Sequence, residues 1–304
     1  MNILIVGLGS IARKHIEAIR SLNINATIYA LRSSNNVDKE FNIVNIFSLD
    51  NLDFTFDFAI ISNPTNLHYK YIQLLAEKNI PLFIEKPPLH TLENSVKLIC
   101  FIESKNLLNY VACNLRFHPC IVFIKDFIKS ASYRINEVNV YCGSYLPDWR
   151  PGKDFRKIYS ANENMGGGVH LDLFHELDYT AWIFGFPIKT RSIKRNVSSL
   201  GINAVDYANY VFEYTNFTAN IVLNYYRKKL KRTIEIVLDN QIIYIDLVKN
   251  IVSDENDLLL FQSSNFEMKN TYYYQMDYFI NCLKQNESPM NSLKESIEIL
   301  KIAL

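Results

Sequence analysis

The stretch Ile3-Leu4-Ile5-Val6-Gly7-Leu8-Gly9-Ser10-Ile11-Ala12 constrains this chain more than any other. Four apolar residues without polar alternation read as a strand buried on both faces, ended by a glycine. From Ile11 to Leu22 the apolar residues recur at helical spacing. Gly7 suits the tight turn, and Gly9 lets backbone N–H groups approach an anion at the helix N-terminus. Ala12 takes the third position, where a small residue serves close helix–strand packing. A glycine-rich turn between a first strand and a first helix is where a dinucleotide pyrophosphate binds.

The pattern then repeats. Strand-like runs at 26–31, 58–62, 82–84 and 108–113 alternate with helical spacing at 68–78 and 92–104. Such alternation implies βαβ units and a parallel sheet. Beyond Pro119 it changes. A helix over 121–130 leads into a strand at 138–142, an irregular stretch over 143–167, and one long helix from about 168 to 184. Strand-like segments follow at 206–214, 218–226, 232–238 and 242–247, with Asp239-Asn240 as a hairpin turn. Consecutive strands without helices between them imply a mostly antiparallel sheet. Helices return at 272–284 and from 292. The expected fold is therefore α/β: an N-terminal Rossmann doubly wound parallel sheet over 1–118, the dinucleotide-binding domain. An α+β domain with a large, mostly antiparallel open sheet follows over 119–304.

Composition narrows the function classes. With 304 residues, 49% apolar and 21% charged, the chain can bury a sizeable core. Thirty-two Lys and Arg against 31 Asp and Glu leave a net charge of +1, so no overall field favours nucleic acid or an anionic membrane. Five scattered cysteines without a C-x-x-C give neither a zinc site nor a disulfide framework, and a cytoplasmic location is expected. Neither a signal peptide nor a membrane span is read from the sequence.

Cofactor preference is read at the end of the second strand. Leu31-Arg32-Ser33-Ser34 offers no carboxylate for a ribose diol, whereas Arg32 with two hydroxyls suits a 2′-phosphate. NADP is thus preferred over NAD.

Further residues carry a family resemblance. Ser62-Asn63-Pro64-Thr65-Asn66-Leu67-His68 followed by Ile84-Glu85-Lys86-Pro87 resembles the paired P-x-x-x-H and E-K-P motifs of the Gfo/Idh/MocA oxidoreductases. Asn114-Leu115-Arg116-Phe117-His118-Pro119 is similar to that family's N-x-R-F-x-P segment. Gly166-Gly167-Gly168 leading to Asp172, His175 and Asp178 is similar to its glycine-led catalytic helix, although the Asp172–His175 spacing is three where four is common. The resemblance implies hydride transfer between a nicotinamide and a hydroxyl or keto carbon of a sugar or nucleotide-sugar. Lys86 would polarise the reacting oxygen, His175 would move the proton and Asp172 would position one of them. His170 is a rival for the proton, and metal is discounted. Gly7, Gly9, Ser10, Ile11, Arg32, Ser33, Ser34, Asn63, Pro64, Asn66, His68, Glu85 and Lys86 are the expected cofactor residues. Asp178 is expected to make a helix hydrogen bond.

Substrate would meet Lys86, Arg116, Asp172, His175 and the segment Tyr145 to Lys157, through Trp149, Arg150 and Arg156. That segment resembles one in family members of surface-polysaccharide sugar pathways. A loop pinned by Asp148 and Asp154 is its plain alternative. The basic run Tyr225 to Arg232 reads as a solvated turn, with Arg227 or Arg232 able to meet a phosphate. A homodimer or homotetramer through the C-terminal sheet is expected. An NAD-dependent glycoside hydrolase and a non-catalytic dinucleotide- or sugar-binding protein stand as alternative functions.

Overall fold

The computed structural model describes residues 1–32, 42–50, 52–130 and 133–304. Ser33 and Ser34 lie outside them. The chain divides into two compact units, 1–114 with 268–301 and 115–267 with 302–304.

The first unit is built on six strands, β1 (Asn2–Val6), β2 (Thr27–Leu31), β3 (Val44–Ile46), β4 (Phe58–Ile61), β5 (Leu82–Glu85) and β6 (Asn109–Ala112), in the order β3-β2-β1-β4-β5-β6. Every pair is parallel. The β1, β4 and β5 strands are almost wholly buried, as their unbroken apolar runs require. Helices α1 (Ser10–Ser21), α2 (His68–Glu77) and α3 (Ser95–Ser104) make the crossovers. Strand order reverses between β1 and β4, and open α/β sheets bind ligands at the carboxyl ends of strands beside such a switch.

The sequence expectation of one continuous second domain differs from this division at the C-terminus. Helix α7 (Lys269–Gln285) inserts Phe279 among Phe58, Phe83 and Tyr110, at ring separations of 5.1–5.9 Å. Before α8 (Leu293–Ala303), Asn291 exchanges hydrogen bonds with both backbone groups of Val111 on β6. Apolar and aromatic burial thus attaches most of the C-terminal segment to the parallel sheet.

The second unit opens with α4 (Pro119–Ser130) and centres on eight strands: β7 (Ile135–Tyr145), β8 (Lys189–Arg195), β9 (Tyr207–Glu213), β10 (Thr218–Asn224), β11 (Tyr226–Leu238), β12 (Ile242–Asp246), β13 (Ile251–Asp254) and β14 (Leu259–Gln262). Their order is β14-β13-β12-β11-β7-β10-β9-β8, antiparallel except for β7 with β10. Val138, Val140, Cys142, Ala219, Ile221, Leu223, Ile234 and Ile236 bury one face. Two expectations are corrected. The basic run is strand rather than turn, continuing β11, with an irregularity in the β7 pairing between Tyr226 and Lys231. The long helix is two: α5 (Val169–Asp172) and α6 (Phe174–Phe184), separated by Leu173 at φ −96°, ψ 36°.

Candidate functional site

In the first unit, Gly7 sits at φ +88°, and a Cβ there would lie 2.4 Å from the Asn63 Cα, so the β1 and β4 ends approach too closely for any side chain. Gly9 differs: nothing lies within 4 Å of an added Cβ. Helix α1 begins after it with no side-chain cap and no acidic residue in its first turn, leaving the amino end to an anion. Ser10 is exposed and Ile11 half-buried beside it. Both amide atoms of the Asn63 side chain are shielded from solvent and have no hydrogen-bond partner among the described residues. An open glycine, an uncapped helix start and an orphaned amide fit a bound dinucleotide.

The motif residues around this crevice divide by role. His68 is buried between two backbone carbonyls, Asn63 O at 3.0 Å from Nε2 and Pro88 O at 3.1 Å from Nδ1. Burial lowers its pKa, so the ring is neutral and donates to one carbonyl at a time. It ties the loop after β4 to the loop after β5. Pro64 and Asn66 are exposed on the first of these loops. Glu85 turns inward, its Oε1 2.6 Å from Nε2 of the fully buried His15, while Oε2 accepts from the Lys86 N–H at 3.2 Å. The carboxylate expected at the cofactor therefore fastens α1 to β5 instead. Lys86 follows at the β5 carboxyl end, half-buried. Arg32 is half-buried at the end of β2, its N–H donating to Ile46 O at 2.9 Å.

The second unit carries the glycine-led segment. Asp172 ends α5 and His175 is the second residue of α6, both half-buried. The break at Leu173 separates them, so the three-residue spacing does not place them along one continuous helix face. Asp172 Oδ2 accepts a 2.5 Å hydrogen bond from the Tyr225 hydroxyl. Tyr225 is fully buried; burial, then the Asp172 charge, pushes its pKa well up, so it remains a donor. The Trp149 ring meets Tyr225 edge-on at 5.3 Å, and its Nε1 donates to Ser144 Oγ at 3.0 Å. Carboxylate, phenol and indole thus form one connected group.

His170 stands apart from proton transfer near neutrality. It is 8% exposed, and burial, helped by the Lys194 charge, lowers its pKa to about 4.

Two buried ion pairs hold α6. Arg116 grips Asp178 through Nε at 2.9 Å and Nη2 at 2.7 Å, with side chains 2% and 1% exposed. Arg116 was expected at substrate and Asp178 in a helix hydrogen bond; the structure pairs them because neither charge could stay buried alone. Glu176, fully buried, takes Arg232 Nε at 2.6 Å, which removes Arg232 from the phosphate-binding candidates. Arg150 is exposed. Arg156 packs over Phe155, its N–H donating to the Asp154 carboxylate at 3.1 Å, so Asp154 pins this loop.

Sequence reasoning missed His15, Tyr225 and the Glu176–Arg232 pair. One signal was present: Tyr225 continues the inward series 219, 221, 223, and Arg232 opens the inward series 232, 234, 236. An arginine at an inward strand position calls for a buried carboxylate. Among the described residues no helix is long and apolar enough to cross a membrane, and no group of three or more His, Cys, Asp or Glu is placed to hold a metal.

Residues 1–112 match a protein-family model, GFO_IDH_MocA, described as an oxidoreductase family with an NAD-binding Rossmann fold. The chain is 28% identical over 166 residues to a scyllo-inositol 2-dehydrogenase (NADP(+)) of Bacillus subtilis, covering 54% of this chain and 44% of that protein. It is 30% identical over 127 residues to a levoglucosan dehydrogenase of Pseudarthrobacter phenanthrenivorans, covering 41% and 32%. The match thus spans less than half the length of either curated relative. Among solved structures, a levoglucosan dehydrogenase in complex with NADH and levoglucosan superposes with a TM-score of 0.85 over 100% of this chain and 95% of that one, at 15% identity. A UDP-N-acetylglucosamine 3-dehydrogenase from Acidithiobacillus ferrooxidans gives 0.79 over 100% and 95%, at 16% identity. At these identities the likeness establishes the fold.

Proposed function

We propose that the chain, whose residues 1–112 match the Gfo/Idh/MocA oxidoreductase family model with its NAD-binding Rossmann fold, is an NAD(P)-dependent dehydrogenase or reductase acting on a CH–OH group. Its substrate is a sugar or sugar derivative, nucleotide-activated sugars included. The observation that carries this reading is Lys86 at the carboxyl end of β5, with Glu85 turned away to His15. That arrangement places Lys86 at the end of the sheet where ligands of this fold bind. Residues of the α1 amino end, Gly7, Gly9, Ser10 and Ile11, with Asn63, would hold the dinucleotide. When bound, the dinucleotide supplies or accepts the hydride.

The chain's own residues manage charge and protons. Lys86 donates a hydrogen bond to the reacting oxygen and offsets negative charge developing there. His175 accepts or returns the hydroxyl proton. Asp172, held by Tyr225, positions substrate or imidazole. Arg32 favours NADP, a preference that the NADP(+)-dependent relative supports. The pattern around Trp149 supports a place in carbohydrate assembly, with Trp149 offering a stacking face to a sugar ring.

The test is titration of the purified protein with NADPH and NADH, read by energy transfer from Trp149 and Trp182, followed by turnover of sugar alcohols and nucleotide-sugars. Tight NADPH binding with turnover lost in Lys86→Ala supports the reading. Near-normal turnover in that variant overturns the role of Lys86. Failure to bind either dinucleotide, in folded protein freed of retained nucleotide, overturns the oxidoreductase. Product released from a glycoside with no net cofactor reduction would make it a hydrolase.

A further inference from the structure

One cluster takes no part in this chemistry. On β7, Tyr141 and Gly143 face away from Cys142, the side opposite the Glu176–Arg232 pair. Asn224, 1% exposed, donates from Nδ2 to the Tyr141 hydroxyl at 2.8 Å, so that oxygen's own proton is available to an acceptor. Arg227 lies across Gly143: a Cβ there would come within 3.0 Å of the Arg227 Cδ and 2.9 Å of each amide atom of Asn224. Glycine is what lets the arginine cross the strand. The Arg227 guanidinium sits over the Tyr141 ring at 5.3 Å, and the Lys231 ammonium stands 5.0 Å from the same ring.

Two like charges at one ring repel each other; neither closes an ion pair among the described residues, and Glu235, Asp246 and Asp257 line the hollow on the Lys231 side only. On the same face, Glu137 and Glu235 are both engaged by the Asn139 amide. The Arg227 Nε is shielded from solvent with no acceptor among the described residues. A buried donor left unsatisfied costs about 1–3 kcal/mol, so such donors normally have a partner. Asn224 Oδ1 beside it is likewise buried and unpaired, yet it is neutral, so the positive charge of Arg227 keeps no counter-charge in an ion pair among the described residues.

We propose that Arg227, Lys231 and Tyr141 form a binding site for a phosphate-type anion. The guanidinium and ammonium supply charge, and the Arg227 Nε and Tyr141 hydroxyl supply directed hydrogen bonds. It is distinct from the group around Asp172, because Tyr225, next to Tyr226 on the chain, turns its hydroxyl to the other face of the sheet. The ligand is free phosphate or the phosphoryl group of a larger metabolite. The inference does not depend on the redox reading.

Isothermal titration of the full chain with inorganic phosphate and with pyrophosphate tests it. Saturable binding is expected, weakened tenfold or more in Arg227→Gln and in Lys231→Gln, less in Tyr141→Phe, and unchanged in Lys229→Gln. A sugar phosphate or nucleoside diphosphate sugar binding at least tenfold tighter than phosphate, with the same Arg227 dependence, identifies the larger ligand. Equal affinities identify free phosphate. No saturable binding, or binding indifferent to Arg227→Gln, overturns the site. Sedimentation checks the remaining case: dissociation of an oligomer in Arg227→Gln without phosphate binding in the parent would assign a second copy's carboxylate to Arg227 and also overturn it.

Discussion

Glu176 directly follows His175 and closes a 2.6 Å ion pair with Arg232, the glutamate fully buried and the arginine side chain 18% exposed. Two residues on, Asp178 is gripped by Arg116. Residues two apart on a helix point about 200° apart, so α6 is held from opposite sides. Rotation of α6 about its axis, and with it the direction of His175, is fixed by paired charges as well as by apolar packing.

Breaking either clamp by removing one partner strands the other charge. Asp178→Ala is expected to lose about 3–5 kcal/mol of stability, measured by urea unfolding. Replacing both partners with apolar residues, as in Arg116→Met with Asp178→Leu, should recover most of that loss. A double variant no more stable than the single one would show that the pair itself is not the source.

Tyr225→Phe removes the buried donor to Asp172 and little volume. A hydrogen bond to a charged group contributes about 1.5–3 kcal/mol, so turnover should fall roughly tenfold or more. The fall should appear in kcat more than in KM, because the carboxylate stays in place but loses the donor that directs it. An unaltered kcat would show that Tyr225 only fills space.

Three histidines make the fold acid-sensitive. Burial lowers the pKa of His118 and of His170 from 6.5 to about 4, and that of His68 as well. Their folded pKa lies below the unfolded one, so the unfolded chain binds more protons between these values. Stability is therefore full above pH 6.5 and falls as pH drops toward 4. His118 and His170 contribute on the order of 3 kcal/mol each to that fall. Unfolding free energy measured from pH 7 to 4 should show this slope, and His170→Gln should flatten it.

Gly7→Ala places a methyl 2.4 Å from the Asn63 Cα at a positive φ. The cost should exceed about 1 kcal/mol, with dinucleotide affinity falling alongside. Gly9→Ala meets nothing within 4 Å of the chain, so its thermal midpoint should change far less. Its dinucleotide affinity should nevertheless drop. Equal thermal shifts in the two variants would contradict the distinction.

The amino-acid sequence by itself determined the strand-turn-helix at residue 3, the parallel unit and the antiparallel one, because buried strands and amphipathic helices are local periodicities that need no partner to be read. The same is true of Lys86 at the end of its strand and the glycine before α1. Only the tertiary structure decided which charges face inward and against what. Glu85 turns to His15, Arg116 to Asp178, Arg232 to Glu176 and Asp172 to Tyr225, pairs separated by 53 to 70 residues. A lone charge in a sequence carries no mark of its partner. Desolvation makes the pairing compulsory, but only the packing of helix on sheet brings a particular acid to a particular base.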